Sequence, residues 1–329
     1  MSNRANWTPL HARLHKTLRQ RRLLQQQDVL IAVSGGQDSL CLAKLLADLQ
    51  PKWGWKLAIA HCDHNWQFDA GLAAHVAQFA QTLKLPFYLK IASDLTLSEA
   101  AAREWRYRAL IEVAQAQGTA NVVTGHTKSD RAETVLYNLI RGAGADGFAA
   151  LTWQRALTPE VQLIRPLLEV TRTETGQFCQ EQKLPVWEDA YNQDLKYARN
   201  RIRQELLPYL KTHFNPQVET ALAQTSELLR ADVEYLEQRA TELRQQAMTS
   251  SEGNSPLKLN RLVLQKAPLA IQRRVIRQFL KVACQSAPNY EQIEAVTTLI
   301  TAPNRTRTSS FGQGTSAEVE GNWISLRQP

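Results

Sequence analysis

The sharpest chemical signal in the sequence is the run Ile31-Ala32-Val33-Ser34-Gly35-Gly36-Gln37-Asp38-Ser39. A short apolar stretch enters a Ser-Gly-Gly turn and leaves it directly into a helical pattern. Two adjacent glycines let the backbone fold tightly enough to aim its N–H groups at an anion. The positive end of the following helix points at the same place. Ser34 and Ser39 add hydroxyl donors. Asp38 would repel a phosphate unless a cation stood between them. The loop lacks the Gly-Lys-Ser/Thr ending of a Walker A sequence, so it predicts a different mode of phosphate binding.

Four further clusters accompany that loop. Ala60-His61-Cys62-Asp63-His64 ends a second strand-like run. Successive strand residues face opposite ways, so these four polar side chains cannot all converge on one metal ion; a polar strand end lining a nucleotide pocket, with His61 and Asp63, is the better reading. Thr124-Gly125-His126-Thr127-Lys128-Ser129-Asp130-Arg131-Ala132-Glu133 follows a fourth strand. If a helix starts near Ser129, Asp130, Glu133 and Tyr137 share a face, and two carboxylates three residues apart suit Mg²⁺ or a substrate ammonium. The phrase Glu99 to Tyr107 places Arg103 and Arg106 three apart on a helix, where either can face phosphate. Tyr197-Ala198-Arg199-Asn200-Arg201-Ile202-Arg203 is the densest basic spot and reads as a clamp for phosphate. For each of these the plain alternative is a solvated helix face; what favours function is that each lies at a strand end or at the edge of the same domain.

The elements that must position these residues alternate. Strand patterns at 28–33, 56–60, 86–91, 121–124 and 162–164 are separated by helical patterns at 38–49, 70–83, 98–116 and 129–139. Such alternation implies βαβ units, right-handed crossovers and a parallel sheet that binds ligands at the carboxyl ends of its strands. Leucines 10, 14 and 18 fit a short amphipathic helix before the first strand. After residue 200 the pattern changes: 215–248 reads as one long helix, 249–256 as a polar linker, and 257–329 as a small α+β unit with two helices and strands near 318–319 and 323–326. The expected division is a catalytic domain over 1–214 and a helix with a small second domain over 215–329.

Composition narrows the class. The chain has 329 residues, 43% of them apolar, and a formal charge of +8, which favours an anionic partner such as nucleic acid. The four cysteines, Cys41, Cys62, Cys179 and Cys284, form no CxxC pair, which points to a reducing compartment without a zinc or iron–sulfur framework. No apolar run approaches the roughly 18 residues of a membrane span, and the basic N-terminal segment lacks the apolar centre of a signal peptide.

The loop resembles the SGGxDS sequence of the PP-loop ATPases (N-type ATP pyrophosphatases), which cleave ATP between its α- and β-phosphates. The order SGGQDS, AHCDH, AAREWRY, TGHTKSDRAET, LIRGAGADG, RPLL and RNRIR is similar to the tRNA(Ile)-lysidine synthetase family over roughly residues 28–210, and Gln272-Arg273-Arg274 with the terminal β segment resembles, less strongly, its small substrate-binding domain. Ser129 stands where the family often has an acid, Arg131 where Gln is common and Tyr191 where Ser is usual.

The resemblance implies a Rossmann-like α/β domain, ATP and Mg²⁺ as cofactors, and ligation of free L-lysine to C2 of the wobble cytidine of an isoleucine tRNA with a CAU anticodon, through an adenylated tRNA. It implies ATP binding by Ser34, Gly35, Gly36, Gln37, Asp38, Ser39, His61 and Asp63, Mg²⁺ binding by Asp38 and Asp130, lysine binding by Asp130 and Glu133, and a catalytic set of Asp38, Asp130, Arg103 at the α-phosphate and Arg201 on the intermediate or the RNA. It further implies a cytoplasmic enzyme, or a plastid one if organelle-encoded, with no membrane partner and with a homodimer as an open option. The alternatives are a tRNA thiolation enzyme of the same family, an amidotransferase-type synthetase lacking its glutaminase, and an inactive RNA-binding protein.

Overall fold

Strand β1 (Asp28–Ala32) is the central strand of the larger sheet, and its Val29, Leu30 and Ile31 are fully buried. The computed structural model describes residues 7–25, 28–65, 70–93, 98–149, 151–187, 194–248, 257–284, 287–311 and 314–327. The polar stretch at 249–256 and the phrase from Glu188 to Asn192 lie outside them.

Around β1 stand β2 (Lys56–Asp63), β3 (Phe87–Ile91), β4 (Asn121–Val123), β5 (Gln154–Ala156) and β6 (Gln162–Ile164), in the order β3-β2-β1-β4-β6-β5. All neighbours pair in parallel except β5, which is antiparallel to β6. The chain winds outward one way from β1 to β3 and the other way from β4 to β6. The crevice between the carboxyl ends of β1 and β4 is therefore the topological switch point, where this class of sheet binds ligands.

Helices cover both faces: α1 (Pro9–Gln20), α2 (Gln37–Trp53), α3 (Leu72–Thr82), α4 (Glu99–Ala116), α5 (Lys128–Ile140), α6 (Gly144–Phe148) and α7 (Arg172–Glu181). α2 anchors the core, since Leu40, Leu42, Leu45, Leu46 and Leu49 are all buried, each worth roughly 1.5–3 kcal/mol of transfer free energy. It runs beyond the expected Leu49, through Pro51, and stops at Gly54 in the left-handed region (φ 70°). β2 likewise runs beyond Ala60 because its pairing with β3 continues to Asp63 against Ile91. Strand β5 and helix α7 were not expected; α7 carries its own start signal, a capping box of Thr171 and Glu174.

Next come α8 (Ala198–Arg201), a widened π-type turn (Ile202–Leu206) and α9 (Leu207–His213), followed by α10 (Val218–Ala247). The chain forms two compact units, 1–227 and 228–329, divided within α10. Val218 and Leu222 in the first turns of α10 pack on Ile202 and Leu207, and Ser226 Oγ donates to Phe148 O at 2.6 Å.

The second unit contains the later turns of α10, β7 (Lys258–Asn260), α11 (Arg261–Gln265), α12 (Leu269–Cys284), α13 (Tyr290–Thr298), β8 (Ser316–Glu320) and β9 (Trp323–Arg327). Its antiparallel sheet has the order β7-β9-β8, and its core is built on Val275, Ile276, Phe279, Val319 and Ile324. The Arg273 and Arg274 guanidinia are engaged within the unit: Arg273 grips Glu294 with two nitrogens at 2.7 and 2.8 Å, and Arg274 reaches Glu237 at 2.6 Å.

Gly125 ties the two halves of the sheet together. A Cβ there would stand 2.8 Å from the carbonyl carbon and oxygen of Asp38, which are backbone atoms that cannot rotate away. Gly125→Ala is expected to destabilise the first unit by roughly 1–3 kcal/mol, lowering its melting temperature by about 2–10 °C. An unchanged thermal unfolding curve would contradict this close approach.

Candidate functional site

At the switch point lies a cavity of about 450 Å³. The loop after β1 forms one wall. Gly35 takes φ 91°, and Ser39 Oγ ties the turn by accepting from Ser34 N at 3.2 Å and donating to Gly36 O at 2.8 Å. Gly36 is the N-cap of α2, so the helix dipole points into the cavity beside these hydroxyls. Trp187 packs against the loop, and its backbone N–H donates to Gly35 O at 3.0 Å. A bulky, fixed group outside the turn keeps its curvature.

Asp38 opens α2. Thr175 Oγ1 donates to its carboxylate, Gln37 Nε2 does so at 3.4 Å, and Arg172 lies 3.2 Å away. Gln37 also donates to Arg172 O at 2.7 Å and Thr175 Oγ1 at 3.0 Å, so α7 is latched to the phosphate loop. Burial raises the Asp38 carboxyl above its ordinary value; Arg172 works against this, and the nearby Asp130 charge adds to it.

Asp130 sits in the first turn of α5. Its Oδ2 accepts from Thr127 N and Thr127 Oγ1, both at 2.7 Å, and Arg203 lies 3.5 Å from Oδ1. Burial opposes its ionisation, but its carboxyl still lies below the ordinary value. Desolvation holds the half-buried His126 neutral, far below its usual range, so the Thr127 hydrogen bonds and Arg203 keep Asp130 charged. Glu133 stands one turn on, with both oxygens gripped by Arg203 at 2.7 and 2.8 Å, and burial raises its carboxyl despite that pair.

On β2, His61 is buried, and its Nδ1 lies 2.7 Å from Val33 O. That carbonyl can only accept, so Nδ1 carries the proton and Nε2 is left as an acceptor. Nε2 is buried without a protein partner. Burial holds this ring neutral, and burial with Arg106 pushes His64 down to about 4. His61, Asp63 and His64 line the cavity together with Ser34, Gly36, Gln37, Asp38, Ser39 and Asp130. Cys62 lines it too, but burial pushes its thiol up to about 11, which leaves little thiolate at neutral pH.

Two of the expected phosphate-contact residues lie outside the cavity lining. Arg201 does not line the cavity; its guanidinium donates to Leu195 O at 2.8 Å and Lys196 O at 3.2 Å. Arg199 and Arg203, four apart, share the helix face that does line it, and Arg201, two from each, points away. Arg103 is also outside the lining. It lies over the ring of Tyr107, its i+4 neighbour, while Arg106 lines the cavity. Arg172 and Thr175 were missed, although the Thr171–Glu174 capping signal places a helix start beside them.

Among the described residues no group of three or more His, Cys, Asp or Glu is assembled for a metal. The closest arrangement is Asp38 with Asp130, two carboxylates near enough to raise the proton affinity of one of them. That suits a cation such as Mg²⁺, which takes one or two protein carboxylates and completes its shell with phosphate oxygens and water. Among the described residues no helix is long and apolar enough to cross a membrane.

Comparisons with known proteins agree with this architecture. Residues 8–210 match the family model described as a PP-loop domain, and residues 259–319 match the TilS substrate binding domain. The chain is 60% identical to the tRNA(Ile)-lysidine synthase of Nostoc sp., over 98% of this chain and 97% of that one. It is 55% identical to that of Synechocystis sp., over 97% of each. A chloroplastic relative from Zygnema circumcarinatum is 35% identical over 82% of this chain and 74% of its own length. Among solved structures, the U34-tRNA thiolase NcsA of Methanococcus maripaludis shares the fold at a TM-score of 0.58 and 18% identity, covering 67% of this chain and 77% of that one.

The raised Asp38 carboxyl has a measurable consequence. An acid whose folded-state value is raised gives full stability below its unfolded value and loses it as pH rises through the folded one. Asp38→Asn is therefore expected to melt above wild type at pH 8, with the difference vanishing below about pH 4, the ordinary carboxylate value. Melting below wild type at pH 8 would show that the Arg172 pair outweighs the burial.

Proposed function

The chain belongs to the tRNA(Ile)-lysidine synthase family, and from that premise we propose that it ligates free L-lysine to C2 of the wobble cytidine of an isoleucine tRNA with a CAU anticodon. The observation that carries this is the cavity itself: the phosphate-binding turn with Asp38, the half-buried Asp130, and Arg106, Arg172, Arg199 and Arg203 line one cavity at the switch point.

In this reading the β- and γ-phosphates of ATP lie against the loop from Ser34 to Ser39, with His61 and Asp63 beside the nucleoside. The cytidine leaves its stack to enter the cavity, at a cost of a few kcal/mol. Its O2 attacks the α-phosphate, the O2–P bond forms, and pyrophosphate departs with the α,β-bridging oxygen. Arg106 faces the charge that develops there. The lysine ε-amine then attacks C2, the C–N bond forms, AMP leaves with O2, and the amine gives up a proton. Asp130, held ionised in the lining, anchors the ammonium and takes the proton it gives up; Glu133, outside the lining with both oxygens on Arg203, holds that guanidinium beside Asp130. Asp38 and Asp130 would hold Mg²⁺, whose charge offsets that on the departing pyrophosphate.

We assign this chemistry to residues 1–214 and recognition of the tRNA beyond its anticodon to 215–329. The reading carries a cytoplasmic setting, or a plastid one for an organelle-encoded chain.

The test is incorporation of labelled lysine into acid-precipitable RNA, with ATP and unmodified isoleucine CAU tRNA. Labelling should need both ATP and tRNA, and Asp38→Ala should lower its rate by at least about 10²–10³-fold. Release of AMP on adding tRNA, without lysine incorporation, would move the nucleophile elsewhere, with sulfur first. No AMP release would leave an RNA-binding protein without the reaction.

A further inference from the structure

Two tyrosines, Tyr107 in the cavity lining and Tyr137 outside it, each carry a pair of guanidinium groups against the ring. Arg103 and Arg155 both lie 5.1 Å from the ring centre of Tyr107. Arg141 lies 5.2 Å and Arg199 5.6 Å from the ring centre of Tyr137, and Arg141 donates to the Tyr137 hydroxyl at 2.9 Å. Arg103 joins the two groups, because the charges of both Arg155 and Arg199 bear on it. The order Arg155–Tyr107–Arg103–Arg199–Tyr137–Arg141 thus runs from β5 across α4 and α8 to α5.

Among the described residues, no carboxylate pairs with Arg103, Arg141 or Arg155. The neighbouring acids are engaged elsewhere: Glu133 and Asp130 with Arg203, and Asp38 with Arg172. A tyrosine ring can fix a guanidinium through its π face without cancelling its charge, whereas a carboxylate would neutralise the field. Half-buried Arg103, among like charges and without a counter-ion, is costly unless an anion completes the site.

The extent of the file indicates which anion. Arg199 lines the cavity, but Arg141 and Arg155 do not, and both are exposed. A nucleotide triphosphate on the Ser34–Ser39 loop would be confined to the cavity. A ligand that meets the whole file must leave the cavity and carry charge at intervals, as a nucleic-acid backbone does.

We propose that Arg155, Arg103, Arg199 and Arg141, propped on Tyr107 and Tyr137, form a track for the sugar–phosphate backbone of the tRNA strand on either side of the base taken into the cavity. This rests on the reading of the chain as a tRNA-modifying enzyme. The track positions the strand and reads no sequence, since phosphate contacts fix register while base contacts specify.

The experiment measures binding of fluorescently labelled tRNA by anisotropy across a salt series, using full-length wild type, Arg155→Ala, Arg141→Ala, the double variant and Arg155→Lys. Steady-state AMP release is followed in parallel. The slope of log affinity against log salt should flatten by about 0.7 for each arginine removed. The KM for tRNA should rise while kcat and the KM for ATP stay unchanged, and Arg155→Lys should keep the wild-type slope. An unchanged slope and KM for tRNA in the double variant would overturn the track while leaving the enzyme's function intact. A rise in the KM for ATP alone would also overturn it, assigning these guanidinia to the nucleotide. Absence of tRNA binding by the wild type would overturn both the track and the functional reading beneath it.

Discussion

Two half-buried carboxylates that repel one another, Asp38 and Asp130, set the terms for the rest of the site. Each opens a helix at the carboxyl edge of the sheet, Asp38 on α2 after β1 and Asp130 on α5 after β4. The switch in winding direction between those two strands brings both acids into one cavity. Two helix N-termini favour negative charge there, but burial and mutual repulsion oppose it. Arg172 from α7 answers Asp38, and Arg203 from the π-type turn answers Asp130 while holding Glu133. The arrangement keeps one acid easily ionised and leaves the other raised, an asymmetry that a bound cation or ammonium relieves.

This explains why elements late in the chain are as necessary as the phosphate loop. α7 reaches the loop through Gln37 and Thr175, and Trp187 beyond it closes over Gly35. The helix from Ala198 to His213 gives one face to the cavity through Arg199 and Arg203 and packs the other side on α5 through Ile202 and Leu207. Only Gly125 allows the turn after β4 to meet the backbone of Asp38 closely enough for one cavity to form.

Much of this was legible in the sequence where the signal is local. Buried parallel strands read as apolar runs, and all five expected strands of the first sheet are present, with Ser34–Ser39 and Asp130 at their ends. Strand β5 was not legible because Gln154, Arg155 and Ala156 are exposed on a sheet edge and carry no alternation. Side-chain direction was the other gap. Arg103 and Arg106 look equivalent by spacing, yet Arg103 is held by Tyr107 one turn on and Arg106 lines the cavity. The Arg199–Arg203 pair could have been chosen over Arg201 from helical spacing alone, had the run been read as a helix. In the second unit, Arg273 and Arg274 carry the resemblance to a substrate-binding domain, but their partners Glu294 and Glu237 come from other helices and are invisible locally.

The most direct test of the account is the titration of Asp38 itself, followed by carboxyl NMR in selectively labelled wild type and in Asp130→Asn. Asparagine keeps the shape of Asp130 and an oxygen for Thr127 but removes the charge. If the two carboxylates govern the site, the Asp38 pKa falls toward its ordinary value in the variant. An unchanged Asp38 pKa would contradict the account, leaving burial alone to set the chemistry of the cavity.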